Sequence, residues 1–172
     1  MEEVTYSNII LNKFVFNKLN LNKEIQNILW SLDFKDYGTL PGEVRFKIKN
    51  VEDSIRFKLI EELNKLNLDN YIRDSLNEFS FDINKMTQGE WIPLHNEVTQ
   101  KSPFEVILWL TKDIYFEGRD FLIKGIGYEK LIKPENGLVC FLDTTCPHTY
   151  HGVTKLKTDT SVISITGGLG RK

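Results

Sequence analysis

The sequence predicts an α+β domain in which helices come first and a run of short strands then closes into a small jelly-roll or cupin-type barrel. Three observations carry this. Apolar residues recur at helical spacing through the first part of the chain. From Phe79 onward the period becomes two. Glycine and proline turn signals then punctuate the rest at short intervals. At 172 residues the chain reads as one domain, with 1–78 as mainly helical support and 79–168 as the barrel core. The helices are expected to pack on the outer face of one sheet.

Residues 9–16 carry Ile9, Ile10, Phe14, Val15 and Phe16 and read as a strand or extended lead-in. A helix then opens after Asn20, because Leu21, Ile25, Ile28, Leu29 and Leu32 form one apolar stripe. Gly38 and the Pro41-Gly42 pair end it in a loop. A second helix begins near Asn50, where Asn50 and Asp53 resemble a capping box and Val51, Ile55, Leu59 and Leu63 make the buried face. A third, short one covers 70–76. Phe79, Phe81 and Ile83 alternate with Ser80, Asp82 and Asn84, the period of a strand. Further strands are expected over 91–94, 105–111, 119–124, 137–142, 151–156 and 161–166. Ser102-Pro103, Glu117-Gly118, Gly125, Gly127, 134–137 and Pro147 separate them.

Composition excludes several classes of function. The formal charge is −2, and the basic residues are scattered among Asn and acidic residues, so neither nucleic acid nor an anionic membrane is an expected partner. The longest apolar runs, such as 106–110, are far too short to span a bilayer. The opening Met1-Glu2-Glu3-Val4-Thr5 is acidic where a secretory signal would be basic, so the expected compartment is cytoplasmic. Cys140 and Cys146 are not at a zinc spacing, and a disulfide is not expected in that compartment. Cys140 sits in an apolar run and reads as a core thiol.

The chemistry lies in His95-Asn96-Glu97, at the end of an apolar strand, and in His151 at the head of another. Alternation puts His95 and Glu97 on one face of their strand. If His151 meets them from an opposing strand, two imidazoles and a carboxylate occupy one face of an octahedral ion. That arrangement suits non-haem Fe(II), with positions left for substrate and oxygen. His148 competes with His151, but it follows Pro147 in a turn. His151 opens an apolar stretch, and Gly152 after it permits close backbone approach. Asn96 faces the other way, and Asp143 could orient an imidazole. Trp91, Trp109 and Tyr150 either line a substrate pocket or pack in the core.

Together these segments resemble the 2-oxoglutarate- and Fe(II)-dependent dioxygenases, in particular the prolyl-hydroxylase-like branch. The resemblance runs over 79–168. Residues 86–97 look like that family's strand, turn and His-x-acid segment, and 104–110 like the following core strand. Residues 115–121 are similar to its E-G-G-E-F segment, 133–141 to P-x-x-G-x-x-x-x-F, and His151-Gly152-Val153 to the distal ligand. The resemblance implies a double-stranded β-helix, Fe(II) held by His95, Glu97 and His151, and 2-oxoglutarate as co-substrate with molecular oxygen. The implied reaction couples oxidation of 2-oxoglutarate to succinate with hydroxylation or desaturation of a small molecule or a peptide residue.

Two departures stand out. Glu97 replaces the usual Asp. More consequentially, the family's Arg-x-Ser pattern, whose cation grips the far carboxylate of 2-oxoglutarate, becomes Val162-Ile163-Ser164 here. Valine cannot neutralise a buried carboxylate. Lys112, Arg119, Lys124 and Arg171 are the candidate substitutes, and Arg119 and Lys124 have opposite parity if both lie on one regular strand. Ser164 and Tyr115 could add neutral hydrogen bonds. Val162 also keeps open an iron oxygenase that does not use 2-oxoglutarate. A metal-binding jelly roll without turnover is the non-enzymatic alternative.

Overall fold

The structure is a computed structural model that describes residues 9–11, 14–38, 44–96, 102–113, 115–145 and 147–169. Among these the chain runs β1 (Ile9–Leu11), β2 (Phe14–Lys18), α1 (Lys23–Ser31), β3 (Lys35–Asp36), β4 (Phe46–Ile48), α2 (Asp53–Leu63) and α3 (Asn70–Leu76). There follow β5 (Phe79–Met86), β6 (Ile92–His95), β7 (Phe104–Thr111), β8 (Phe121–Gly125), β9 (Tyr128–Ile132), β10 (Leu138–Asp143), β11 (Tyr150–Val153) and β12 (Val162–Leu169).

α1 and α3 start where side chains satisfy their first N–H groups. Asn22 accepts from the Glu24 N–H at 2.8 Å to cap α1, and Asp69 accepts from the Ile72 N–H at 2.9 Å to cap α3. The capping box expected at Asn50 is absent. Asn50 is held at φ 48°, its N–H donates to Asp82 Oδ1 at 2.8 Å, and α2 begins after Glu52 with no side-chain cap.

The strands form two antiparallel sheets. The larger has the order β1-β2-β10-β7-β12-β5-β4-β3 and the smaller β6-β11-β8-β9. Alternation gives the large sheet two different faces. Its outward residues, among them Phe79, Phe81, Ile83, Val106, Leu108, Val139 and Ile163, share one apolar cluster with Leu29, Leu59, Leu63 and Leu76 of the helices. Its inward residues, among them Phe14, Phe16, Met86, Ile107, Trp109, Cys140 and Val162, share a second cluster with Phe121, Ile123 and Val153 of the small sheet. The space between the sheets is therefore walled by a defined set of inward positions.

Some strands depart from expectation. β9 occupies a stretch read only as connection between turns. Its Glu129, Lys130 and Leu131 are all exposed, so it carries no buried alternation, and it lies at the edge of the small sheet. β3 and β4 were likewise not expected; pairing with β5 holds β4. β11 ends at Val153, and Leu156 is buried from the connection instead, its N–H donating to Glu90 O at 3.0 Å. The expected loop at Pro41-Gly42 lies outside the described residues. No helix among the described residues is long and apolar enough to cross a membrane.

Candidate metal centre

β6 and β11 bring the two histidines together. His95 and His151 are Cα partners across this antiparallel pair, and their ring centroids stand 4.3 Å apart at 55°. Gly152 permits the approach: a Cβ there would lie 2.9 Å from Ile92 O, 3.1 Å from Leu94 N and 3.1 Å from Pro93 O. Any side chain would wedge β6 away from β11.

Each ring is oriented by its surroundings. His95 Nδ1 lies 2.8 Å from Pro93 O, so the neutral tautomer that donates there carries its lone pair on Nε2. His151 is 6% exposed and meets Phe14 and Phe121, with ring centroids at 6.5 Å and 5.5 Å. Both histidines open into a cavity of about 240 Å³ between the sheets. From the large sheet come Lys47, Asp82, Asn84, Glu105, Ile107, Trp109, Ser164 and Thr166. The register explains this set, since Lys47, Asn84, Ser164 and Trp109 are successive cross-strand partners, and Asp82, Thr166 and Ile107 form the next row.

No protein-family model matches the sequence, and no curated protein matches it. Solved structures do. A prolyl-4-hydroxylase from Pseudomonas putida superposes with TM-score 0.66 at 13% identity, over 93% of this chain and 93% of that one. A prolyl hydroxylase from Trichoplax adhaerens, in complex with a peptide fragment of hypoxia inducible factor, superposes with TM-score 0.65 at 12% identity, over 91% and 84%. HygX from Streptomyces hygroscopicus, with nickel and 2-oxoglutarate bound, gives TM-score 0.63 at 13% identity, over 92% and 83%.

The chain has the fold of the 2-oxoglutarate/Fe(II) oxygenases. In this oxygenase fold β5, β12, β7 and β10 make the four central strands of one sheet, and β6, β11, β8 and β9 make the other, which is the double-stranded β-helix.

The remaining site residues separate on this scaffold. Glu97 and Arg171 lie outside the described residues, as does Cys146. Among the described residues no third His, Cys, Asp or Glu joins the histidines in a metal-binding group. His148 is exposed in a turn. Ser164 faces the cavity. Lys124 does not: its partner Tyr150 precedes the inward His151, so Lys124 points outward, 3.4 Å from Glu129. Tyr115 is 86% exposed and takes no part in the cavity wall. Lys112 is exposed, with its ammonium 4.6 Å from the centroid of the Trp30 ring. Val162 is buried among the inward apolar residues. Arg119 is not on a strand, because β8 begins at Phe121, so the parity argument does not govern it. It is buried completely and has φ 59°.

Trp109 is both core and cavity wall, whereas Trp91 and Tyr150 are exposed. Asn96 donates to Pro147 O at 3.4 Å, and Asp143 accepts from the Thr145 N–H at 2.8 Å within its own turn. Cys140 is fully buried, and burial pushes its thiol well above its ordinary pKa, with the Glu105 charge adding to the effect. Sequence reasoning missed Asp82, Asn84, Glu105 and Thr166. For β5 and β12 the available signal was a polar residue at every second place on a strand whose other face is apolar; β7 offered none for Glu105, whose face continues with Ile107 and Trp109.

Proposed function

We propose that the protein is a non-haem Fe(II) oxygenase that uses 2-oxoglutarate to hydroxylate or desaturate a small molecule or a peptide residue. The observation that carries this reading is the His95–His151 pair, 4.3 Å between centroids, at a cavity walled by both sheets. The donor set suits iron: two imidazoles, one with its Nδ1 tied to a backbone carbonyl, and Glu97 two residues beyond His95 as the carboxylate. The neighbour holding nickel and 2-oxoglutarate supports the choice of co-substrate, and the neighbour holding a peptide supports a peptide among the substrates.

When bound, iron and 2-oxoglutarate supply the oxidising chemistry. The residues of this chain bind, orient and shield. Pro93 O and the Phe14–Phe121 cage hold the imidazoles in place, so that a ligating lone pair is presented without searching rotamers. Ile107, Trp109, Phe121 and Val153 give the cavity apolar walls that exclude water. Ser164 and Asn84, side by side across β5 and β12, offer a hydroxyl and an amide to a polar ligand.

Anaerobic loading with Fe(II), followed by oxygen-uptake measurement with and without 2-oxoglutarate, tests the reading. The expected result is uptake that requires 2-oxoglutarate and releases succinate. Iron binding with equal uptake in its absence would favour the second reading, an iron oxygenase without this co-substrate, to which the buried Val162 lends support.

A further inference from the structure

Arg119 is 0% exposed and stands in the left-handed region at φ 59°, directly after Gly118 at φ 79°. A non-glycine residue persists there only when its surroundings hold it. They do. The Lys157 N–H donates to Glu117 O at 2.9 Å and the Thr154 N–H to Asp120 O at 2.9 Å. The Asp120 N–H donates to Thr154 Oγ1 at 2.8 Å. The segment around Arg119 is thus fastened to the connection between β11 and β12 on both sides, and the side chain is driven inward.

The guanidinium it delivers is poorly satisfied. Nη1 donates to the thioether sulfur of Met86, a weak acceptor, while Nε and Nη2 have no hydrogen-bond partner among the described residues. Glu90 favours the charge through space, but its carboxylate is committed elsewhere. Its Oε1 accepts from the Arg45 N–H at 2.7 Å, and its Oε2 accepts from the Thr87 hydroxyl at 3.0 Å. Such a cation is expensive unless an anion arrives to meet it.

Its place in the barrel says which anion. Met86 and Val162 are Cα partners, and two residues along the same strands and on the same face come Asn84 and Ser164, at the cavity. The guanidinium therefore lies one pleat beyond the cavity wall. On the small sheet, Ile123 and His151 are partners, and Phe121 and Val153 form the next inward pair, about 7 Å further by strand rise. Arg119 enters beyond that pair. A 2-oxo acid bound at a metal held by the histidines and reaching Arg119 would need a second carboxylate at its far end, which describes a short 2-oxo diacid.

We propose that Arg119 supplies the positive charge for the distal carboxylate of 2-oxoglutarate, entering from the segment before β8, while Val162 leaves room beside it on β12. The inference rests on the function proposed above. It ties the Val162 departure to another difference: Arg119 stands where the E-G-G-E-F-like segment has its second glycine, and its charge stands in for the one that valine removes from the Arg-x-Ser-like segment.

The test is calorimetry on the Mn(II)-loaded protein, titrated with 2-oxoglutarate and with 2-oxopentanoate, which has the same chain ending in methyl. The wild type is expected to prefer 2-oxoglutarate by about 100-fold, the scale of a buried charge-assisted pair. Arg119→Met is expected to lose this preference and to favour 2-oxopentanoate, because a carboxylate placed there without a cation is costly, with Mn(II) affinity unchanged. The double variant Arg119→Gly with Val162→Arg is expected to regain at least about tenfold of the preference. Should Arg119→Met fail to fold, Arg119→Lys carries the test, with about a tenfold loss expected because the planar fork is gone. Undiminished preference in Arg119→Met, or in Arg119→Lys if only that folds, overturns the role of Arg119 and leaves the iron oxygenase standing. A wild-type Mn(II) protein that binds both acids alike overturns the co-substrate and the role of Arg119 together.

Discussion

Replacing Arg119 by Met should stabilise the metal-free protein. Burial pulls the guanidinium well below its ordinary value, down to about 9, opposed in part by the Glu90 charge. At about 1.36 kcal/mol per pH unit, holding the proton there costs roughly 5 kcal/mol. Relaxation reduces the realised figure, and replacing buried ions by apolar groups of similar size is typically neutral to about 4 kcal/mol stabilising. Methionine inherits the strain at φ 59°, so that contribution cancels. The expected gain is about 2 kcal/mol at pH 7, or roughly 4–8 °C in melting temperature for a chain of this size. The pH dependence follows from the lowered pKa. Below about pH 9 both folded and unfolded chains carry the charge, so the cost is present in full. Above it the folded state sheds a proton that the unfolded state keeps, and the gap to the Met variant narrows. Urea unfolding of both proteins, with equal m-values, measures this. Mn(II) and 2-oxoglutarate at about 100 times the dissociation constant should then stabilise the wild type by about 2.7 kcal/mol and Arg119→Met by less. A metal-free Arg119→Met protein that is less stable by about 1 kcal/mol or more would refute the reasoning, because Arg119 would then be a structural partner of Glu90.

Three other expectations are independent of that one. His95→Ala should reduce Mn(II) affinity by at least about 100-fold in calorimetry, while the half-buried ring costs less than about 1 kcal/mol of folding stability. Gly152→Ala should push β6 off β11, costing about 1–3 kcal/mol and weakening metal binding, because the new Cβ meets three backbone atoms within 3.1 Å. A variant with native stability and native Mn(II) affinity would show that the close approach does not set the histidine spacing. Cys140, with its thiolate disfavoured by burial, should stay unmodified by iodoacetamide at pH 8 until the protein unfolds, as peptide mass mapping would show. Modification at the rate of a free thiol would place that part of β10 in solvent.

The helical stripes and the run of strands from Phe79 were legible because they rest on periodicity, although β3 and β4 interrupt the helices and β1 to β4 join the large sheet; the nearness of His95 to His151 was legible because few histidines are present. Which face of β5 looks inward was not. Phe79, Phe81 and Ile83 form the apolar face, and the ordinary expectation sends such a face to the barrel interior. Here that face goes to the helices, and the polar face, with Asp82 and Asn84, lines the cavity. In a layered fold with two cores, alternation shows that a strand has two faces but not which core each one meets. β9 escaped notice for the opposite reason: an edge strand with solvent on most of its side chains has no alternation to read.

Arg119 shows a different limit. On a regular strand its parity opposes that of Lys124, and sequence alone offers no way to choose between two cations. The decision is made by the backbone. Gly118 at φ 79° would bring any Cβ to 1.9 Å from Lys155 O, so the chain must turn there in a conformation only glycine takes at that spacing. The residue after it also stands in the left-handed region, at φ 59°, and is fully buried. That its segment is held by hydrogen bonds to the connection between β11 and β12, with Nε and Nη2 unsatisfied beside Met86 and Val162, is the pattern of a binding group prepared before its ligand arrives.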